Sequence, residues 1–246
     1  MIKIKSADEI KKISQSGQIA AFALKQVAKN VRVGITTFEL DQIAKRIITA
    51  RGATPSFLDY RGYQHSTCIS VNDEVVHGVP GAYKIKPNDI VKIDLGAYFN
   101  GYHSDTAITV VVGKLSINQK RLLEGTQKAL LQTIKMVKPG IRVGDIEHNL
   151  GQILRSYNLG AVIDLSGHGI GTQIHEDPAI RCDGEADTGA EVKEGMVFAL
   201  EPMATLGSPE VHTGNDKWTI VTNDGSMAAH FEHTIVVTKN GAKILT

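Results

Sequence analysis

The chain has 246 residues, 42% of them hydrophobic and 22% charged, an ordinary globular composition that excludes a disordered or fibrous protein. Twenty-seven Lys and Arg against 26 Asp and Glu leave a formal net charge of +1, so no whole-molecule field steers it to DNA or to an anionic membrane. Cys68 and Cys182 form no CxxC motif, which argues against a disulfide framework and for a reducing compartment. With neither a signal-like segment nor an apolar run of membrane length, a cytoplasmic protein is expected.

Ser6 and Glu9 have the spacing of a capping box, and Ile10, Ile13, Ile19, Phe22, Leu24 and Val27 follow at helical intervals, which predicts a helix over 7–29. A second helix should start with Thr37 as N-cap, carry Leu40, Ile43, Ala44, Ile47 and Ile48 on one face, and end at Gly52. Residues 90–113 are rich in β-branched and aromatic side chains around Asn100-Gly101, the signature of an antiparallel hairpin. Helical spacing returns over 118–137 and 143–157, and strand-like runs over 196–202, 216–222 and 231–238.

Helices followed by strands thus occur twice, with a sequence echo. At an offset of 106, Ala23, Leu24, Gln26, Lys29, Val31, Gly34 and Ile35 recur as Ala129, Leu130, Gln132, Lys135, Val137, Gly140 and Ile141, seven identities in thirteen positions. This predicts one α+β domain spanning 1–246, made of two pseudo-twofold-related halves, roughly 1–113 and 114–246. A site between them would draw on both.

The hairpin makes two aspartates interesting. With the turn centred between Asn100 and Gly101, Asp105 faces Gly96 and Asp94 is its diagonal neighbour on the same face, about 7–8 Å away. Both lie in apolar strand contexts, where an unpaired charge is costly and a cation is a cheap partner. Glu201 and Glu232 likewise interrupt apolar runs. Either glutamate alone could be a strand-end carboxylate paired with lysine; four such residues together favour a metal site. His168 sits between glycines, which leave the imidazole unobstructed, although a lone histidine in such a loop is more often structural than a ligand. Four carboxylates and one imidazole carry about four negative charges, matched by two divalent cations, and such a site activates water for hydrolysis. Oxygen-rich ligation with one nitrogen suits manganese, iron, cobalt, nickel or zinc without selecting among them.

Taken together, GHGIG, IHEDP, FALEP and FEHT, preceded by IDLGA and HSDTA, resemble the type I methionine aminopeptidases, and the similarity runs from the first helix to residue 240. The resemblance implies a pita-bread fold, with helices outside a curved antiparallel β-sheet. It implies that Asp94, Asp105, His168, Glu201 and Glu232 ligate two metal ions, Asp105 and Glu232 bridging. It further implies that His77 and His175 hold the substrate amide and stabilise the oxyanion, and that Glu201 shuttles protons. The methionine pocket maps onto Phe57, Tyr60, Tyr63, Cys68, Ile174 and Trp218, beside His77 and His175, although such residues equally make plain core.

The implied function is removal of the initiator methionine from nascent chains whose second residue is small, by a monomer working near the ribosome with no DNA or membrane partner. Departures from the family pattern fall at Gln64 and His65, at Ile174, at Lys217 where glycine is usual, and at His230 where glutamine is usual. They bear on pocket shape. No cysteine-rich extension precedes the first helix. The alternatives are an Xaa-Pro aminopeptidase or prolidase, which share the five ligands in longer chains, and a non-catalytic binding module of the same fold, which would have lost them.

Overall fold

The protein is described here by a computed structural model covering residues 2–246. Among these residues four α-helices form, α1 (Ala7–Asn30), α2 (Thr37–Thr49), α3 (Ile117–Met136) and α4 (Val143–Ser156), besides a 3-10 turn at Tyr60–Gly62. The Ser6 hydroxyl accepts from Glu9 N while Glu9 returns a bond to Ser6 N, as the sequence predicts. The cap of α2 lies one residue earlier than expected. Thr36 caps it, because Glu39 completes the reciprocal box three positions on, while the Thr37 hydroxyl turns to the Gly81 carbonyl. Helix α2 also ends at Thr49, and Gly52, at φ +72, forms the turn beyond it.

Nine strands make the principal sheet: β1 (Thr54–Pro55), β2 (Cys68–Val71), β3 (Ile90–Phe99), β4 (Tyr102–Val111), β5 (Ser166–Gly169), β6 (Glu176–Arg181), β7 (Val197–Leu200), β8 (Glu232–Thr238) and β9 (Gly241–Ile244). The order is β1-β3-β4-β8-β7-β5-β6, with β2 added to β3 and β9 to β8, and every pairing is antiparallel. The β3–β4 hairpin has the expected register: Phe99 faces Tyr102 and Gly96 faces Asp105. Asn100 and Gly101, at φ +52 and +87, take the left-handed conformations that a two-residue turn requires.

Period-two alternation sorts this sheet into two faces. Val91, Ile93, Leu95 and Ala97 of β3 point outward against Ala20, Ala23 and Val27 of α1 and Leu40, Ala44 and Ile48 of α2. In the other half, Phe198, Ile235 and Val237 share a core with Leu122, Leu130 and Ile134 of α3 and Ile146, Leu150 and Leu154 of α4. Each fully buried aliphatic side chain there contributes about 1.5–3 kcal/mol. The even-numbered residues of β3, Asp94 among them, are left to face the opposite side.

The same spacing marks both halves. Helix α4 starts 106 residues after α2, at 143 against 37, and the short strands Thr54–Pro55 and Gly160–Ala161 also start 106 apart. Isolated bridges tie Thr36 to Lys84 and Arg142 to Glu191, so the residue before each second helix is held in the same way. Where β4 meets β8, threonine hydroxyls add the links. Thr234 Oγ1 accepts from Asp105 N at 2.9 Å, and Thr106 Oγ1 donates to Glu232 O at 3.0 Å.

The run over 216–222 is only partly strand. Ile220–Thr222 pairs with Val211–Thr213 and Glu74–Val76 in a small separate sheet. Asp216 Oδ1 accepts from Trp218 N and Thr219 N, an Asx-type turn that takes the first half of the run out of extended conformation.

Candidate metal centre and substrate cavity

Sheet register brings the acidic residues together. Cys68 faces Asp94, Asp94 faces Ala107 and Ala107 faces Glu232, a single row across β2, β3, β4 and β8. Asp105 stands on the same face, two residues before Ala107. His168 on β5 faces Ala199 on β7, and Glu201 follows the end of that strand. Glycines on both sides of His168 have a packing reason: a Cβ on Gly167 would meet the Ala199 carbonyl, and one on Gly169 the Asp177 carbonyl.

These carboxylates are buried, with Asp94 9%, Asp105 4% and Glu232 2% exposed. Among the described residues no lysine or arginine pairs with any of them or with Glu201. Asp94 Oδ1 and Glu232 Oε1 lack any hydrogen-bond partner. Burial first, and neighbouring carboxylates second, push Asp94, Asp105 and Glu232 well above the usual carboxylate range. Burial likewise raises Glu201 to about 7, against the opposing influence of His168. Asp94 has the Asp105 and Glu201 carboxylates as its charged neighbours, and buried carboxyls so placed cannot all stay ionised unless a cation takes the place of a proton.

The donor set therefore fits a divalent metal. Asp105, His168 and Glu232 each offer one ligand atom, all within 4.8 Å of one another. His168 Nδ1 lies 3.0 Å from the Gly169 carbonyl, an arrangement that assigns the hydrogen to Nδ1 and leaves Nε2 to ligate. Asp94, against Asp105, and Glu201, with Oε1 3.5 Å from His168 Nε2, flank this trio.

A cavity of about 260 Å³ opens onto the cluster. Phe57, Tyr60, Tyr63, Cys68 and Trp218 line it together with His77, His168, His175 and the four carboxylates. Tyr63 and Trp218 meet edge to face at 5.0 Å. Burial keeps the Cys68 thiol protonated by raising it well above its ordinary range. Ile174 packs with Phe57, Tyr63 and Cys68 behind this wall. Lys217, where the resembled family usually has glycine, adopts φ +65, the left-handed region glycine favours, so lysine here carries backbone strain beside Trp218.

The two remaining histidines are neutral at pH 7. His77 has φ +58, an unusual conformation held by Gly78, whose N donates to Ser70 Oγ at 2.9 Å and whose carbonyl accepts from Ile69 N at 2.8 Å. Burial, then His230, lowers His77 to about 4. Partial burial, then His168 and His77, lowers His175 to about 3, and its Nδ1 lies 2.9 Å from the Tyr60 hydroxyl.

Two residues at the site escaped the sequence reading. Arg61 lines the cavity mouth at φ +50 and carries no motif that could reveal it. His230 places Nε2 3.1 Å from Glu201 Oε2. Its signals in the sequence were its departure from glutamine and its even spacing from Glu232.

Residues 11–239 match the model of metallopeptidase family M24. The chain belongs to that family. It is 44% identical over 246 residues to methionine aminopeptidase 1 of Bacillus subtilis, covering all of this chain and 99% of the relative. The crystal structure of methionine aminopeptidase from Thermotoga maritima superposes with a TM-score of 0.98 at 42% identity, covering 100% and 99% of the two chains. A prolidase from Pyrococcus furiosus matches with a TM-score of 0.82 at 29% identity, over 99% of this chain and 65% of that one. The chain is thus a methionine-aminopeptidase-type metallopeptidase, with the pita-bread fold and a use for divalent metal. Among the described residues no helix is long and apolar enough to cross a membrane.

Proposed function

We propose that this enzyme removes N-terminal methionine from peptides and nascent chains whose second residue is small, using two divalent cations held by Asp94, Asp105, His168, Glu201 and Glu232. The observation that carries the reading is the cavity itself, which aromatic side chains and the Cys68 sulfur line together with buried carboxylates that no lysine or arginine pairs with. Identity to the methionine aminopeptidases, at 44% and over full length, favours it over a prolidase-like specificity, for which the likeness is 29%.

When bound, the cations would supply Lewis-acid polarisation of the scissile carbonyl and acidify water. Asp105 and Glu232, together with His168, would hold them at the centre of the cluster, flanked by Asp94 and Glu201. Glu201 accepts the proton released from water and passes it to the departing amine. Neutral His77 and His175 donate hydrogen bonds to the substrate amide and to the oxygen on which charge develops, and the Tyr60 hydroxyl orients His175. The free α-amino group lies near the acidic cluster, so formylated or blocked termini are not substrates.

Phe57, Tyr60, Tyr63, Cys68 and Trp218, backed by Ile174, enclose one unbranched thioether, whose burial contributes about 1.5–3 kcal/mol with added sulfur–aromatic contact. The wall near His77 restricts the second residue to a small side chain. We assign manganese, iron, cobalt, nickel or zinc as metals the donor set accepts, and a cytoplasmic monomer acting on chains emerging from the ribosome as the setting. The two halves, 1–113 and 114–246, form one catalytic domain, consistent with a sheet that runs unbroken across them.

The test compares peptides beginning Met-Ala, Met-Leu, Leu-Ala and Ala-Pro across a series of these metals. Release from Met-Ala far above the other three is expected. Preference for Ala-Pro would transfer the assignment to Xaa-Pro peptidases, and no cleavage with any metal would favour a binding module.

A further inference from the structure

Glu201 is approached at both oxygens. His168 Nε2 stands 3.5 Å from Oε1, and His230 Nε2 stands 3.1 Å from Oε2 on the other side. The metal reading accounts for His168 but makes no use of His230. That residue is 1% exposed and fixed in place: the strand Ala228–His230 pairs it with Met203, and its N–H donates to Thr109 Oγ1 at 2.9 Å. Neither ring nitrogen has an aligned hydrogen bond, despite the short approach to Glu201. A buried imidazole in that condition destabilises the fold, and an apolar side chain of similar volume would cost less. Packing therefore gives no reason for a histidine here.

We propose that His230 is a positioning residue for Glu201: with the site loaded and its hydrogen on Nε2, it aligns to donate to Oε2 across the 3.1 Å approach and leaves Oε1, on the His168 side, as the ligating oxygen. It touches neither substrate nor cation. A partner that orients a ligating carboxylate in this way acts on metal affinity, and such outer partners typically change it by about 10- to 100-fold. The inference rests on the reading of Glu201 as a ligand, which the experiment checks separately.

Metal-free parent, His230→Leu, His230→Gln and Glu201→Gln proteins are titrated calorimetrically with Mn²⁺ alone, and each is melted in chelator. His230→Leu should weaken binding of the Glu201-dependent ion by about 10- to 100-fold, while its metal-free melting temperature equals or exceeds the parent's. His230→Gln, whose amide can donate to the same oxygen, should keep parental affinity. Parental Mn²⁺ binding by His230→Leu, or equal weakening in His230→Gln, would overturn the proposal. So would a lower metal-free melting temperature for His230→Leu, which would mark a purely structural role. If Glu201→Gln binds Mn²⁺ as the parent does, the ligand reading itself fails; if it binds weakly while His230→Leu is parental, only the role of His230 fails.

Discussion

Asp94 and Asp105 share one face of a single hairpin because Gly96 pairs with Asp105 across the Asn100-Gly101 turn, and both are buried there, the charge of Asp105 adding to burial in raising Asp94. Without a cation, protons must neutralise such carboxyls. Buried acids whose folded pKa is raised cost nothing below their unfolded pKa and destabilise progressively as pH rises through the folded value. For Glu201 that window runs from 4.5 to about 7. Chelated protein should therefore lose melting temperature between pH 5 and pH 8, and Mn²⁺ or Co²⁺ should restore it, by about 2.7 kcal/mol at a hundred times Kd. Differential scanning calorimetry in chelator and in metal would show this; parallel pH profiles would argue against cation binding by these carboxyls.

His168→Ala should abolish most hydrolysis by emptying a ligand position in the trio with Asp105 and Glu232. Metal titration should show weakened binding, since the remaining donors leave the same buried charge without its nitrogen ligand. Retention of parental turnover would remove His168 from the centre.

Glu201→Gln should lower turnover by more than the roughly 10²- to 10⁴-fold usual for loss of an acid or base, because ligation and proton transfer fail together. His77→Ala and His175→Ala should cost less and still bind metal. A titration in which either histidine variant no longer binds would make that histidine a ligand.

Trp218 closes the apolar side against Tyr63 at 5.0 Å. Trp218→Ala should reduce kcat/KM for a Met-Ala peptide by about 10- to 100-fold, as expected when a few kcal/mol of side-chain burial is lost. The metal affinity should not move. Unchanged selectivity for Met-Ala over Leu-Ala would show that this wall does not select methionine.

Gly78→Ala should damage the fold and the site together. Its Cβ would strike the Ile69 carbonyl, and the loop it anchors holds His77 at φ +58. A destabilisation above about 2 kcal/mol is expected, in the range of overpacking, with turnover falling more than metal binding. A melting curve like the parent's would show that the loop relaxes freely.

The local signals were legible. Ser6 and Glu9 capped α1 as read, and Asn100-Gly101 set the β3–β4 register to the residue, because capping and tight turns join neighbours a few positions apart. The cap of α2 falls at Thr36, not Thr37, because Glu39 three positions on completes the reciprocal box. The resemblance carried by IDLGA, HSDTA, GHGIG, FALEP and FEHT named Asp94, Asp105, His168, Glu201 and Glu232, and the chain folds them around one cavity.

What the sequence determined by itself were the four α-helices, the hairpin and the residue types that demand a cation. Tertiary structure alone decided that Glu232 would face Ala107, and so lie in the row of Asp94, because pairing between strands over a hundred residues apart is set by which faces the helices bury. It also decided that Phe57 and Trp218 line one cavity, that Lys217 takes a glycine-like conformation, and that Glu201 has an imidazole near each oxygen. Those contacts join segments with no common periodicity, so only the packed chain brings them within reach.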